Sequence, residues 1–227
     1  MKLYIGNKNY SSWSMRPWVL MREKGIAFDE VMLRFDSFSA DSQFKQAIAA
    51  VSPAGRVPAL VDDDGLLVWD TLAIAEYLAE RFPEKALWPT GRAARARARS
   101  VCAEMHSGFG ALRGAFPMNI EARLPEVGAR LLAEKPAVAA DLARITALWT
   151  EALAASGGPF LFGDYSIADA YFAPVASRIR TYALPLPAEA AAYVQRLWAT
   201  AGVQAWEAEA LTEADFVPED EPYRTQR

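Results

Sequence analysis

The sequence predicts an α/β domain of order β-α-β-α-β-β-α followed by an all-α helical bundle. Two observations carry this. Over residues 1–82, short apolar or alternating runs trade places with segments of helical period, separated by glycine, proline and aspartate breaks. Alanine, the strongest helix former, then occurs 34 times in residues 83–227 against 10 times in residues 1–82. Nothing in that second part alternates in strand fashion. At 52% hydrophobic and 23% charged residues, the 227-residue chain has ordinary globular composition. A chain of this length buries about 70–75% of its unfolded surface without staples.

Leu3-Tyr4-Ile5 reads as the first strand and Gly6 to Ser14 as a polar loop. Pro17 to Lys24 reads as a helix with a first-turn proline, closed by Gly25. Phe28 to Phe35 alternates as a second strand, with Phe28, Val31 and Leu33 facing inward. Ser42 to Ala50 is a short helix. Val57–Val61 and Leu66–Trp69 form a hairpin around Asp62-Asp63-Asp64-Gly65. Asp70-Thr71 caps a helix whose apolar face is Leu72, Ile74, Ala75 and Leu78. Prolines and a glycine in residues 82–91 mark a linker between a first domain, 1–81, and a second, 92–227. Helices are expected at Ala93–Ala115, Glu126–Glu134, Ala137–Ala155, Ile167–Ala183, Ala188–Thr200 and Val203–Leu211, with a polar, frayed tail from Glu219 to Arg227.

The formal charge of −4 argues against nucleic acid as a partner. Cys102, the one cysteine, cannot form an internal disulfide, which points to a reducing, cytoplasmic setting. With His106 the one histidine, no metal site is expected. Lys2 precedes only three apolar residues, so no signal-peptide core is expected, and no apolar run approaches the ~18 residues of a membrane span.

Three segments have the chemistry of a ligand site. Asn9-Tyr10-Ser11-Ser12-Trp13-Ser14-Met15-Arg16 brings several hydroxyls to a helix start, where free N–H groups and the helix dipole favour an anion. One serine suffices as a cap; three exceed that need. Val57-Pro58 opens a strand, and a cis bond there would leave the Val57 N–H and C=O free for an extended peptide. At Asp70-Thr71 the threonine hydroxyl and N–H suit a ligand carboxylate and the aspartate an ammonium, a pair fitting the amino-acid end of a ligand. A plain N-cap explains the same two residues. Tyr165-Ser166-Ile167-Ala168-Asp169 is a capping box and a folding element. His106 is either packed or pocket-lining.

Taken in order, Gly55-Arg56-Val57-Pro58-Ala59-Leu60, Trp69-Asp70-Thr71-Leu72-Ala73-Ile74 and Phe160-Leu161-Phe162-Gly163-Asp164-Tyr165-Ser166-Ile167-Ala168-Asp169 resemble the cytosolic glutathione S-transferase family. The likeness covers nearly the whole chain. It implies a thioredoxin-like first domain that binds glutathione as co-substrate, and a helical domain that supplies the pocket for a small hydrophobic electrophile. It also implies a homodimer working in detoxification. Carried over by position, Pro58 is the cis-proline, Val57 the backbone partner of the cysteinyl unit, and Asp70 and Thr71 the γ-glutamyl pair. Arg56 lies near the glycyl carboxylate.

Ser11-Ser12-Trp13-Ser14-Met15-Arg16 is similar to the loop of serine-type classes, nearest to zeta-like bacterial members, with Ser11 at the thiol-activating position and Ser12 its competitor. Tyr10 and Tyr4 fit that role less well. Trp13 stands where zeta has cysteine, which bears against that class's isomerase activity. Trp13, Met105, His106, Phe109 and Leu112, with Phe116, are the candidates for the electrophile pocket, against ordinary helix core. The alternatives to transfer are a glutathione-dependent isomerase, dehalogenase or peroxidase, or a glutathione-binding protein without turnover.

Overall fold

The computed structural model describes residues 1–227. Four short strands form one mixed sheet: β1 Lys2–Ile5, β2 Asp29–Met32, β3 Ala59–Val61 and β4 Leu67–Val68. Their order is β2-β1-β3-β4. β1 runs parallel to β2 and antiparallel to β3, which pairs antiparallel with β4. The helices among them are α1 Ser12–Glu23, α2 Gln43–Ala49 and α3 Thr71–Arg81. This is the β-α-β-α-β-β-α order that the sequence predicts.

Both faces of the sheet are covered. Leu3, Ile5 and Leu60 join the main core beside α1 and α3. Tyr4, Leu33, Ala59 and Leu67 pack on the other side against Phe44 and Ile48 of α2. Phe28 therefore faces the main core while Leu33 faces α2, so the expected single inward face of β2 is two faces. Gly65 makes the β3–β4 turn at φ 88°, where the Asp62 N–H bonds to the Leu66 carbonyl at 2.9 Å.

The rest is helical: α4 Arg92–Ser107, α5 Gly110–Ala115, α6 Pro125–Glu134, α7 Pro136–Ser156, α8 Ile167–Tyr182, α9 Ala188–Trp198 and α10 Ala201–Ala210. The single helix expected over Ala93–Ala115 is two. Phe109 stands at φ +56°, and a Cβ on Gly108 would lie 2.7 Å from the Glu104 carbonyl oxygen. That corner turns α5 toward the cleft.

Nearly all of α8 is buried, and it packs on α1. Its start is the expected capping box: the Ser166 hydroxyl accepts from the Ala168 N–H, and Asp169 Oδ2 accepts from the Ser166 N–H at 2.9 Å. The tail is not frayed. Tyr223 donates to the Ala115 carbonyl at 2.7 Å, and buried Glu221 accepts from Tyr10, Asn119 and Arg224. Opposite charges along residues 213–227 find partners on the body of the protein. No helix is long and apolar enough to cross a membrane.

Candidate active site

The β1–α1 loop is anchored from distant chain. Asn7 and Arg34 bond to Asp215, Glu213 accepts from the Lys8 and Asn9 N–H groups at 2.7 and 3.3 Å, and the Trp206 indole donates to the Lys8 carbonyl. Helix α1 begins at Ser12, earlier than its sequence suggests, with Ser11 as N-cap. Ser11 Oγ lies 2.7 Å from Ser14 Oγ, which also accepts the Gly6 N–H. Hydroxyl protons rotate to suit their partners, so Ser14 can donate to Ser11 and turn the Ser11 proton outward. Ser12 Oγ has no partner in the chain, and both Ser11 and Ser12 line a cavity of about 520 Å³ between the sheet edge and the helical domain. Tyr10 lines it too, but burial and its bond to Glu221 push the phenol up to about 12. Its proton is committed.

Pro17 sits inside α1, not in its first turn, and has no N–H to give to the Trp13 carbonyl four residues back. That carbonyl accepts the Thr71 hydroxyl instead, at 3.2 Å. Thr71 is 1% exposed and opens α3. Its hydroxyl proton is therefore spent on α1, leaving its N–H and an accepting oxygen for a ligand. Asp70 caps α3, with Oδ1 accepting the Leu72 N–H at 2.9 Å. Its other oxygen stands 3.7 Å from His106 Nε2. His106 Nδ1 pairs with the Tyr171 hydroxyl at 2.9 Å. The histidine is pocket-lining, as one reading of the sequence allowed.

The Val57–Pro58 bond is cis. The Val57 N–H and C=O meet no hydrogen-bond partner in the chain, and Arg56 beside them is exposed. A second cavity of about 400 Å³ runs from Arg56 and Val57 past Pro58 to Asp70, Thr71 and His106. Trp13 lines both cavities. Its ring lies under the Arg16 guanidinium at 4.2 Å and the Arg113 guanidinium at 4.8 Å, with His106 at 5.1 Å.

The structure thus brings Ser11, Ser12, Trp13, Arg56, Val57, Pro58, Asp70, Thr71 and His106 to one cleft. Met105, Phe109, Leu112 and Phe116 are not in it. They are 0, 7, 0 and 0% exposed and belong to the helical core. The helical wall is made instead by Arg113, Pro117, Met118 and Arg178, and the sheet-side wall by Phe35, Phe38, Phe44 and Lys45. Sequence reasoning missed these. The available signal was Arg178 itself, the buried one of two arginines in the last turns of α8, Val175-Ala176-Ser177-Arg178-Ile179-Arg180.

Residues 10–81 match the family model "Glutathione S-transferase, N-terminal domain". A maleylacetoacetate isomerase of Pseudomonas aeruginosa is 33% identical over 120 residues, 53% of this chain and 55% of that protein. The chain thus spans about half the length of that curated relative. A glutathione transferase homologue from Burkholderia GL BGR1, solved with bound glutathione, superposes with a TM-score of 0.69 at 27% identity, covering 92% of this chain and 97% of its own. A glutathione transferase from Methylococcus capsulatus gives 0.67 at 29% identity, covering 92% and 98%. Residues 10–81 thus match the N-terminal domain of the glutathione S-transferase family, and the sheet order with the helical domain behind it is the fold of these solved glutathione transferases.

Proposed function

We propose that this protein is a glutathione transferase that joins the glutathione sulfur to small electrophiles, with Ser11 holding the thiolate. The observation that carries the reading is a pair of adjoining cavities that share Trp13, Arg56, Val57 and Arg113 as walls. They have an unpaired Val57 backbone at their middle, a carboxylate and a helix start at one end, and hydroxyls at the start of α1 between them. An extended tripeptide fits these groups. Asp70 takes its ammonium, the Thr71 N–H its α-carboxylate, Val57 its cysteinyl unit, and Lys45 or Arg56 its glycyl carboxylate.

A thiol titrates near 8.5, and lowering that by two units takes about 2.7 kcal/mol of preference for the thiolate. A hydroxyl bonded to a charged acceptor gives about 1.5–3 kcal/mol, and a helix start about 0.3–1 more. The two suffice together, so Ser11 donates its hydrogen and keeps it. The thiol proton goes to solvent. With an aryl or alkyl halide, the S–C bond forms as the C–halide bond breaks, and the halide leaves with the electron pair. Holding both reactants in one cleft supplies the rest.

The test is kinetic. Ser11→Ala lowers kcat by about 10- to 100-fold, the loss of one charge-assisted hydrogen bond, while glutathione still binds by calorimetry. If Ser12→Ala has that effect and Ser11→Ala does not, the unpartnered Ser12 hydroxyl is the donor. No effect from either variant removes serine activation. We also propose that the chain acts as a homodimer in the cytoplasm, as the family resemblance implies; light scattering on the purified protein checks the mass.

A further inference from the structure

We propose that the electrophile this site takes carries a carboxylate, held by Arg113 and Arg178, an inference that rests on the transferase reading above. The sequence pointed to a pocket of Trp13, Met105, His106, Phe109 and Leu112 for a hydrophobic electrophile, whereas the helical wall of the cleft carries two arginines.

Arg178, on α8, is 5% exposed and lines the larger cavity. Its Nε donates to the Phe116 carbonyl at 2.7 Å and its Nη1 to the Pro174 carbonyl at 3.0 Å. Nη2 meets no partner, and every ion pair in the chain is formed by other residues. A guanidinium this deeply buried and without an ion-pair partner is costly to keep. Burial, reinforced by Arg16 and then Arg113, pulls its pKa down to about 9. An arriving anion relieves that cost.

Arg113, on α5, repeats the pattern. Its Nη1 donates to the His106 and Gly108 carbonyls at 3.3 and 3.2 Å, its plane stacks on Trp13, and no carboxylate lies within ion-pair distance. It lines both cavities. Around the larger one stand Lys45, Arg56, Arg113 and Arg178 against the single acid Asp220. Lys45 and Arg56 are on the sheet side, next to Val57 where the tripeptide runs, and answer its glycyl carboxylate. Arg113 and Arg178 are on the opposite wall, where the second substrate enters. Asp220 does not cancel them: it is one carboxylate against four cations, and it forms no ion pair with Arg113 or Arg178. Phe35, Phe38, Phe44 and Met118 complete the cavity and suit a flat apolar body. The ligand so described is an activated arene with a carboxylate at its far end.

The experiment compares 4-chloro-3,5-dinitrobenzoate with its neutral methyl ester. In each, the thiolate forms an S–C bond, chloride leaves with the C–Cl electron pair, and the thiol proton passes to solvent. After division by the uncatalysed rates, kcat/KM for the acid exceeds that for the ester by about tenfold or more, the difference one charged contact makes. Arg113→Gln lowers the acid's value at least about tenfold more than the ester's. Because Arg178→Gln threatens folding, Arg178→Lys is used with circular dichroism, and it lowers the same ratio. Equal values for acid and ester, or a proportional loss of both in Arg113→Gln, overturn the proposal.

Affinities of the two preformed glutathione conjugates give the second readout. Tighter binding of the carboxylated conjugate without turnover of either halide supports the anion site and refutes the transferase reading alone. Equal binding of the two conjugates refutes the anion site alone.

Discussion

Pro17 and Thr71 lie 54 positions apart in the chain and act as one device. The proline withholds an N–H, the Trp13 carbonyl is left over, and the threonine hydroxyl that opens α3 takes it. The start of α1 and the start of α3, both on the proposed glutathione groove, are thereby tied together. Thr71→Val keeps the shape and loses this bond, about 1 kcal/mol. The expected result is a KM for glutathione raised about fivefold with kcat within about twofold. Steady-state kinetics with varied glutathione checks it. At this scale the sequence was legible where the feature is local, as in the helix start at Asp70 and Thr71 and the free backbone groups of Val57. It was silent on Arg113 and Arg178, whose places depend on how helices turn after the corner at Gly108-Phe109, a corner that no local propensity announces.

Among the elements, α8 does most of the organising. Four donors converge on its buried Asp169: the Ser166 N–H and hydroxyl on Oδ2, the Leu161 N–H and the Tyr193 hydroxyl on Oδ1. Removing the carboxylate leaves several buried donors unmet, so Asp169→Ala costs about 3 kcal/mol or more, whereas Ser166→Ala costs about 1. Urea denaturation of the two variants measures both. Helix α10 makes its own demand on α1. A Cβ on Gly202 would lie 2.6 Å from the Val19 carbonyl oxygen. Gly202→Ala therefore destabilises by about 1–3 kcal/mol through overpacking, read by the same method. The capping box could be read from Ser166 and Asp169 because a cap is local. The need for glycine at 202 could not, since the crowding comes from a helix about 180 residues earlier.

At the scale of the whole molecule, one buried and one half-buried carboxyl set a pH dependence. Burial raises Asp169 and Asp220 from the ordinary 3.8 to about 6. The folded chain binds these protons more tightly than the unfolded chain does. Their ionisation therefore subtracts stability as pH rises from about 4 to about 6, and subtracts no more above that. Asp36, whose carboxylate accepts the Phe44 and Gln43 N–H groups, is lowered and works in the opposite sense. Asp220→Asn removes one of the two raised groups, so its urea midpoint gains on the parent's between pH 4 and pH 7. A constant difference across that range would mean that Asp220 ionises in the folded chain as it does in the unfolded one.

The order of strands and the two-part architecture followed from alternation and alanine content, but the tail did not, because charges in a polar stretch say nothing about where their partners lie. Those partners matter in time as well as in space. The loop carrying Ser11 is held by Glu213, Asp215 and Glu221, at separations of about 205 to 211 residues. A nascent chain can finish its sheet early, yet the last of these clamps cannot close until the 221st residue has cleared the ribosome. The Ser11 hydroxyl thus has no fixed seat on a half-made protein.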